Sequence, residues 1–159
     1  MTIIARLKQM EDYTPTIREL HKLSSQISER IPYLKMLVLF GSRAIGNTKA
    51  NSDWDFAVLC DEEKYNSYIK DNPLAAFAIP GILGEIFKIN SDKIDIVELN
   101  HCSKLIAHFV ARDGKVLYEE QADEFNKFRQ RVLLSNTEIK MIEKTKLKNI
   151  ENFLQRWGV

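Results

Sequence analysis

KMLVLFGSRAIGNTKANSDWDFAVLC, residues 35–60, is the stretch on which the reading of the whole chain turns. Leu37, Val38, Leu39 and Phe40 form a short apolar run of the kind that fills a buried strand. Gly41-Ser42 interrupts it where a backbone without a Cβ can approach a ligand closely. After a polar loop, Asp53 to Cys60 alternates in type: Asp53, Asp55, Ala57 and Leu59 fall on one strand face, and Trp54, Phe56, Val58 and Cys60 on the other. Two carboxylates placed this way lie ~6.7 Å apart, and at an effective dielectric near 20 they repel by roughly 2–3 kcal/mol. A cation between them turns that cost into a binding site.

Working upstream, Thr14-Pro15 predicts an N-cap and first helical position, and Ile17, Leu20, Leu23, Ile27 and Ile31 recur at helical spacing. The expected amphipathic helix ends at Ile31-Pro32, and His21 on it reads as a structural histidine. Downstream, Asp61 to Lys70 predicts a loop leading into a short exposed helix. Asp61, Glu62 and Glu63 there suit the positive end of a helix dipole better than a metal. Asn72-Pro73 opens an apolar helical segment, PLAAFAIPGILGEIFKI, expected to break at Pro80-Gly81. Gly81 and Gly84 lack the spacing and the preceding strand of a phosphate fingerprint.

KIDIVEL, residues 93–99, alternates again, with Asp95 interrupting an otherwise apolar face of Val97 and Leu99. Ser103 to Arg112 predicts a helix with Gly114 at its C-cap, and Lys115 to Tyr118 a short strand. His101 and His108 make a poor zinc pair. From Gln121 onward, Phe125, Phe128, Val132, Ile139, Ile142, Ile150, Phe153 and Trp157 recur by threes and fours. That is one long amphipathic helix, or two with a bend near Ser135-Asn136, either covering the domain or docking another chain.

Composition bounds the class. With 159 residues, 45% hydrophobic and 28% charged, the chain can bury a real core, as one domain over 1–120 and a C-terminal helical extension over 121–159. A net charge of +1 argues against a strongly basic nucleic-acid binder. Cys60 and Cys102 are too few for a disulfide framework and read as reduced thiols of a cytoplasmic protein. MTIIARLKQMEDYTPT does not have the pattern of a signal peptide, and no apolar run reaches membrane-spanning length, so no membrane partner is expected.

Three acidic positions then ask for one explanation. If the strands carrying them are neighbours, Asp53, Asp55 and Asp95 converge, and convergent carboxylates are costly unless a divalent cation neutralises them. Oxygen-only ligation selects Mg²⁺ or Mn²⁺, which keep positions open for phosphate oxygens, the equipment of phosphoryl or nucleotidyl transfer. Gly41-Ser42 supplies close backbone approach, an N–H and a hydroxyl, and Arg43 adds a charge-assisted donor on the same turn.

These residues carry a family resemblance. Gly41-Ser42, then Asp53-x-Asp55 after a polar loop containing Gly46 and Ser52, then a later strand with Asp95, resemble the signature of the DNA polymerase β-type nucleotidyltransferase superfamily. More closely, GSRAIGN and NSDWDFAVL, the strand KIDIVELN, and GKVLYEE before a C-terminal helix resemble the minimal nucleotidyltransferase (MntA-like) antitoxins, over about Leu37 to Glu120. The resemblance implies an α+β fold with a mixed central sheet flanked by helices and a long C-terminal helical segment. It further implies Mg²⁺ and, as substrate, ATP. AMP would pass to a hydroxyl, expected on a tyrosine, of a HEPN-domain RNase toxin on a separate chain, in a hetero-oligomer without direct nucleic-acid contact. By motif match, Asp53 and Asp55 bind metal, and Asp95 completes the site and orients or deprotonates the acceptor hydroxyl. Gly41 and Ser42 hold the β- and γ-phosphates with help from Arg43. One departure stands out: relatives often carry a second basic residue before the glycine, where this chain has Ile45, and Lys49 is the candidate substitute. Trp54, between the aspartates, is expected to pack on the opposite face.

Two other functions remain open at this level: neutralising a toxin by contact alone, through the apolar 73–89 region and the C-terminal helix, or nucleotidyl transfer to a small molecule such as an aminoglycoside. The chain is short for a dedicated substrate domain. The RNase signature Arg-x4-His is absent from it, so an RNase toxin is a separate polypeptide.

Overall fold

Leu34–Phe40 (β1) and Trp54–Cys60 (β2) are antiparallel neighbours at the centre of a four-stranded sheet, in the computed structural model that describes residues 2–6 and 13–158. Ile94–Glu98 (β3) joins β2 in parallel, and Lys115–Glu119 (β4) joins β1 antiparallel, giving the order β3-β2-β1-β4. The sheet is mixed, as expected. The reading of the N-terminus rested partly on Lys8, Glu11 and Asp12, which lie outside the described residues.

Alternation along the strands sorts two cores onto the two faces. Leu37, Leu39, Trp54, Phe56, Val58 and Ile94 point to one side, where Leu20, Ile27, Leu83, Ile86 and Phe87 cover them. Met36, Val38, Ala57 and Leu99 point to the other, under Ala107, Val110, Phe125 and Phe128. Fully buried side chains such as Phe56 and Phe87 each contribute about 1.5–3 kcal/mol relative to exposure. Asp55 lies on the strand positions that alternate with the first core, so it belongs to the second face.

The first helix expected from the sequence departs from that expectation at its start. Ile17–Leu23 (α1) is capped by Thr16, not Thr14: Glu19 N–H donates to Thr16 Oγ1 at 3.2 Å and Thr16 N–H to Glu19 Oε2 at 2.8 Å. This reciprocal capping box outweighs the local Thr14-Pro15 signal, and Pro15 is buried ahead of the helix. The periodic run is also segmented, through a 3₁₀ turn at Ser24–Gln26 into Ile27–Arg30 (α2), where the buried Ser24 hydroxyl donates to Leu20 O at 2.7 Å.

Beyond the central pair, Ser42–Ile45 (α3) is a single turn, and Glu62–Asp71 (α4) begins at Asp61, whose carboxylate accepts from Lys64 N–H at 3.0 Å. The acids at 61–63 are thus cap and first-turn residues, as read. In the apolar segment the break falls at Ala78 instead of Pro80-Gly81. Pro73–Phe77 is a 3₁₀ helix, and Pro80 sits in the first turn of Ile79–Phe87 (α5), where its missing N–H needs no partner.

Lys104–Asp113 (α6) is capped by the Ser103 hydroxyl, and Gly114 follows it with φ −65°, not left-handed. Glycine is required there for room: a Cβ would stand 2.3 Å from Val110 O and 2.5 Å from Val38 Cγ1. Gly114→Ala is therefore expected to destabilise the fold by about 1–3 kcal/mol through overpacking, read as a lower denaturation midpoint with unchanged slope.

The C-terminal region is two helices, Glu124–Val132 (α7) and Asn136–Arg156 (α8). Ser135 caps α8 in a second capping box with Glu138, which accounts for the bend as a full interruption. Buried His108 on α6 pins the junction, its Nδ1 accepting from Leu134 N–H at 3.0 Å. α7 packs Phe125 and Phe128 into the second core, whereas no residue of α8 is buried. Met141, Leu147, Ile150, Phe153 and Trp157 are exposed along it. Among the described residues no helix is long and apolar enough to cross a membrane.

Candidate active site

The turn after β1 owes its shape to Gly41. Its φ of 70° and ψ of −157° lie where residues with a Cβ are strained, and an added Cβ would stand 2.2 Å from Asp55 Oδ2. The Asp55 carboxylate therefore rests directly on the bare α-carbon of the turn. Gly41 O accepts from Ala44 N–H and Ile45 N–H at 3.1 and 3.4 Å, Asn47 N–H donates to Ser42 O at 3.0 Å, and Gly46 closes the turn at φ 77°. Ser42 thus opens α3 at the end of β1, next in sequence to the Gly41 on which Asp55 rests.

Asp55 and Asp95 are direct partners in the parallel β2–β3 register. Adjacent strands run ~4.8 Å apart with side chains of paired residues on one face, so these two acids are lateral neighbours. Asp53 precedes β2 by one residue, exposed, with Asp55 half-buried and Asp95 exposed. Burial first, then the charges of Asp95 and Asp53, push the Asp55 carboxyl above its usual range. The charges of Asp53 and Asp95 thus both reach Asp55. Among the described residues no three His, Cys, Asp or Glu side chains are already gathered into a metal cage. The set is an open, oxygen-only acidic edge, which fits a hard divalent cation that takes its remaining ligands from water and phosphate.

The other predicted residues fall as follows. Arg43 is half-buried, with its guanidinium 4.1 Å over the Trp54 ring and both Nε and Nη2 donating to Ser52 O, at 3.1 and 2.6 Å. Trp54 is 5% exposed and packs on the face opposite the aspartates, as expected. Ile45 is 60% exposed at the end of the Gly41 turn, and Lys49 is exposed on the loop. His101 Nε2 stands 3.7 Å from Glu62 Oε1 with both side chains largely exposed, and buried His108 is used by Leu134. Cys60 and Cys102 are free thiols, with Cys60 pushed up to about 12 by burial and then by Glu98. Ser52 is a residue to which sequence reasoning gave no role of its own; its hydroxyl accepts from Lys49 N–H at 2.8 Å and its carbonyl holds Arg43.

The family model described as polymerase beta, nucleotidyltransferase, covers residues 21–123. The chain belongs to that nucleotidyltransferase family.

Within it, the chain is 83% identical over 150 residues to the protein adenylyltransferase MntA of Aphanizomenon flos-aquae, covering 94% of this chain and 100% of the relative. It is 30% identical over 104 residues to the protein adenylyltransferase MntA of Shewanella oneidensis, 65% of this chain and 68% of that one. These matches place it in the MntA-type branch. Among solved structures, a toxin–antitoxin complex with AMP-PNP superposes with a TM-score of 0.56 at 22% identity, over 88% of this chain and 99% of that chain. A complex of the tri-AMPylated Shewanella oneidensis HEPN toxin with MNT antitoxin gives 0.51 at 20%, over 86% and 97%. At these identities the likeness is one of fold, and it supports the nucleotidyltransferase architecture of the mixed sheet with its helices.

Proposed function

We propose that the chain is a protein adenylyltransferase that transfers AMP from ATP to a hydroxyl, on a tyrosine, of a HEPN-domain RNase toxin carried on a separate chain, and so acts as an antitoxin. The observation that carries this reading is the in-register pairing of Asp55 with Asp95 beside the Gly41 turn. The names of the relatives, protein adenylyltransferases, and of the AMPylated toxin complex with the same fold, support the substrate class and the partner. The complex that contains AMP-PNP supports an adenine nucleotide as donor.

The roles of the site residues belong to the same proposal. Gly41 and Ser42 present backbone and hydroxyl donors to the β- and γ-phosphates. Asp53, Asp55 and Asp95 would hold Mg²⁺ or Mn²⁺, which supplies charge neutralisation for the triphosphate and for the leaving pyrophosphate. Asp95, exposed at the open side of the acidic edge, orients the acceptor hydroxyl and takes its proton. The hydroxyl oxygen bonds to the α-phosphorus, the bridge to the β-phosphate breaks, and pyrophosphate departs. The complex is a hetero-oligomer in the cytoplasm.

Neutralisation by contact alone is the second reading, favoured by the exposed apolar residues along α8. Co-expression with a HEPN-domain toxin partner separates the two. Asp95→Asn is expected to lose protection of the cells while still co-purifying with the toxin; full protection by both Asp53→Asn and Asp95→Asn would establish the contact reading instead.

A further inference from the structure

Arg43 is the basic residue nearest the glycine turn in sequence, yet its guanidinium is engaged elsewhere. Two of its nitrogens form a fork on the Ser52 carbonyl, and its face lies on the Trp54 indole. That indole is a fixed platform: it stacks on Phe56, which is fully buried and stacks in turn on Phe87. Ser52 is gripped from the loop side as well, its hydroxyl accepting from Lys49 N–H and its own N–H donating to Lys49 O at 3.0 Å. The next residue is Asp53. Exposed and one residue short of β2, Asp53 depends for its place on the backbone that Ser52 carries. A guanidinium that is both forked onto a carbonyl and stacked on an aromatic ring uses the two properties in which arginine differs from lysine.

We propose that Arg43 is a positioning residue: by clamping the Ser52 carbonyl against the Trp54 platform it sets the place of the Asp53 carboxylate, and with it the affinity of the acidic edge for its divalent cation, instead of binding the triphosphate. This rests on the nucleotidyl-transfer reading of Asp53, Asp55 and Asp95.

Arg43→Lys keeps the charge and loses both the fork and the flat face. Its Mn²⁺ affinity, read by electron paramagnetic resonance in the presence of AMP-PNP, is expected to fall about tenfold, in the range seen when groups that orient metal ligands are removed. The Mg²⁺ concentration for half-maximal AMP transfer rises by the same factor, while KM for ATP at saturating Mg²⁺ changes by less than about twofold. Ser52→Ala loses the tie to Lys49 but keeps the carbonyl and Arg43. It shifts the metal dependence in the same direction by a smaller factor, and it carries the test if Arg43→Lys does not fold. Unchanged Mn²⁺ affinity in both variants, or a KM for ATP that rises as far as the metal requirement, overturns the clamp and returns Arg43 to the phosphates. A wild-type protein that binds Mn²⁺ with AMP-PNP and yet transfers no AMP overturns the activity reading alone, and the Mn²⁺ affinities still decide the clamp.

Discussion

Asp55→Asn is expected to lower AMP transfer by at least about 10²–10³-fold and, at the same time, to raise the thermal midpoint of the metal-free protein by about 2–4 °C. Both effects come from the same geometry. Asp55 lies laterally beside Asp95, two residues past Asp53, and its half-buried carboxyl is held above the ordinary range by burial and by those two charges. At an effective dielectric near 20, two charges ~5 Å apart repel by about 3 kcal/mol, and screening at so open an edge leaves on the order of 1 kcal/mol. Asparagine has nearly the same shape and no charge, so the metal-free fold is relieved of that repulsion while the site loses a ligand.

The pH dependence follows in sign. Because the folded state favours protonated Asp55, its contribution to stability is fully present below the ordinary carboxyl pKa and is lost as pH rises through the raised folded value. The gap between variant and wild type is therefore largest near neutrality and closes in acid. Adding Mg²⁺ with AMP-PNP reverses the order, since ligand that binds only the folded wild type raises its midpoint and not the variant's. Scanning fluorimetry with and without Mg²⁺, across pH, reads all of this. A variant less stable than wild type without metal would mean that Asp55 serves the fold instead of the cation.

Gly41→Ala is expected to have an effect of similar size on activity and, unlike Asp55→Asn, to destabilise the protein by about 2–3 kcal/mol. Two penalties coincide. The backbone at φ 70°, ψ −157° strains any residue with a Cβ, and that Cβ would meet Asp55 Oδ2 at 2.2 Å and Asp55 Cγ at 3.0 Å. Relief requires the carboxylate to swing away, which removes it from the acidic edge. Ser42→Ala, in the same turn but without the clash, should keep the stability of wild type and lose a smaller part of the rate. Denaturant titration beside kcat/KM distinguishes the two, and a fully active Gly41→Ala would show that the close approach to Asp55 has no part in the chemistry.

The strands were legible because their side chains alternate or run apolar over five to seven residues, and the two-faced core followed from that period. The nucleotidyltransferase motif was legible because glycine, serine and paired aspartates are rare at that spacing by chance. Caps were less so: Thr14-Pro15 and Thr16-x-x-Glu19 overlap, and only the reciprocal hydrogen bonds show which one starts the helix. Pro80 signals a break in sequence, yet it sits in the first turn of α5, after the 3₁₀ helix that ends at Phe77. What no local pattern carries is pairing across distance. Asp55 meets Asp95 through strand register, and Arg43 reaches Ser52 across a loop of irregular path, so the clamp emerges only in three dimensions. The same holds for Gly114, whose need to be glycine comes from Val38 on another element.

The measurement that tests the central claim most directly is the intact mass of the partner toxin after incubation with this protein, ATP and Mg²⁺. A toxin that gains one or more AMP groups with wild type, and none with Asp53→Asn or Asp95→Asn, is the predicted result. A toxin silenced at unchanged mass would contradict it.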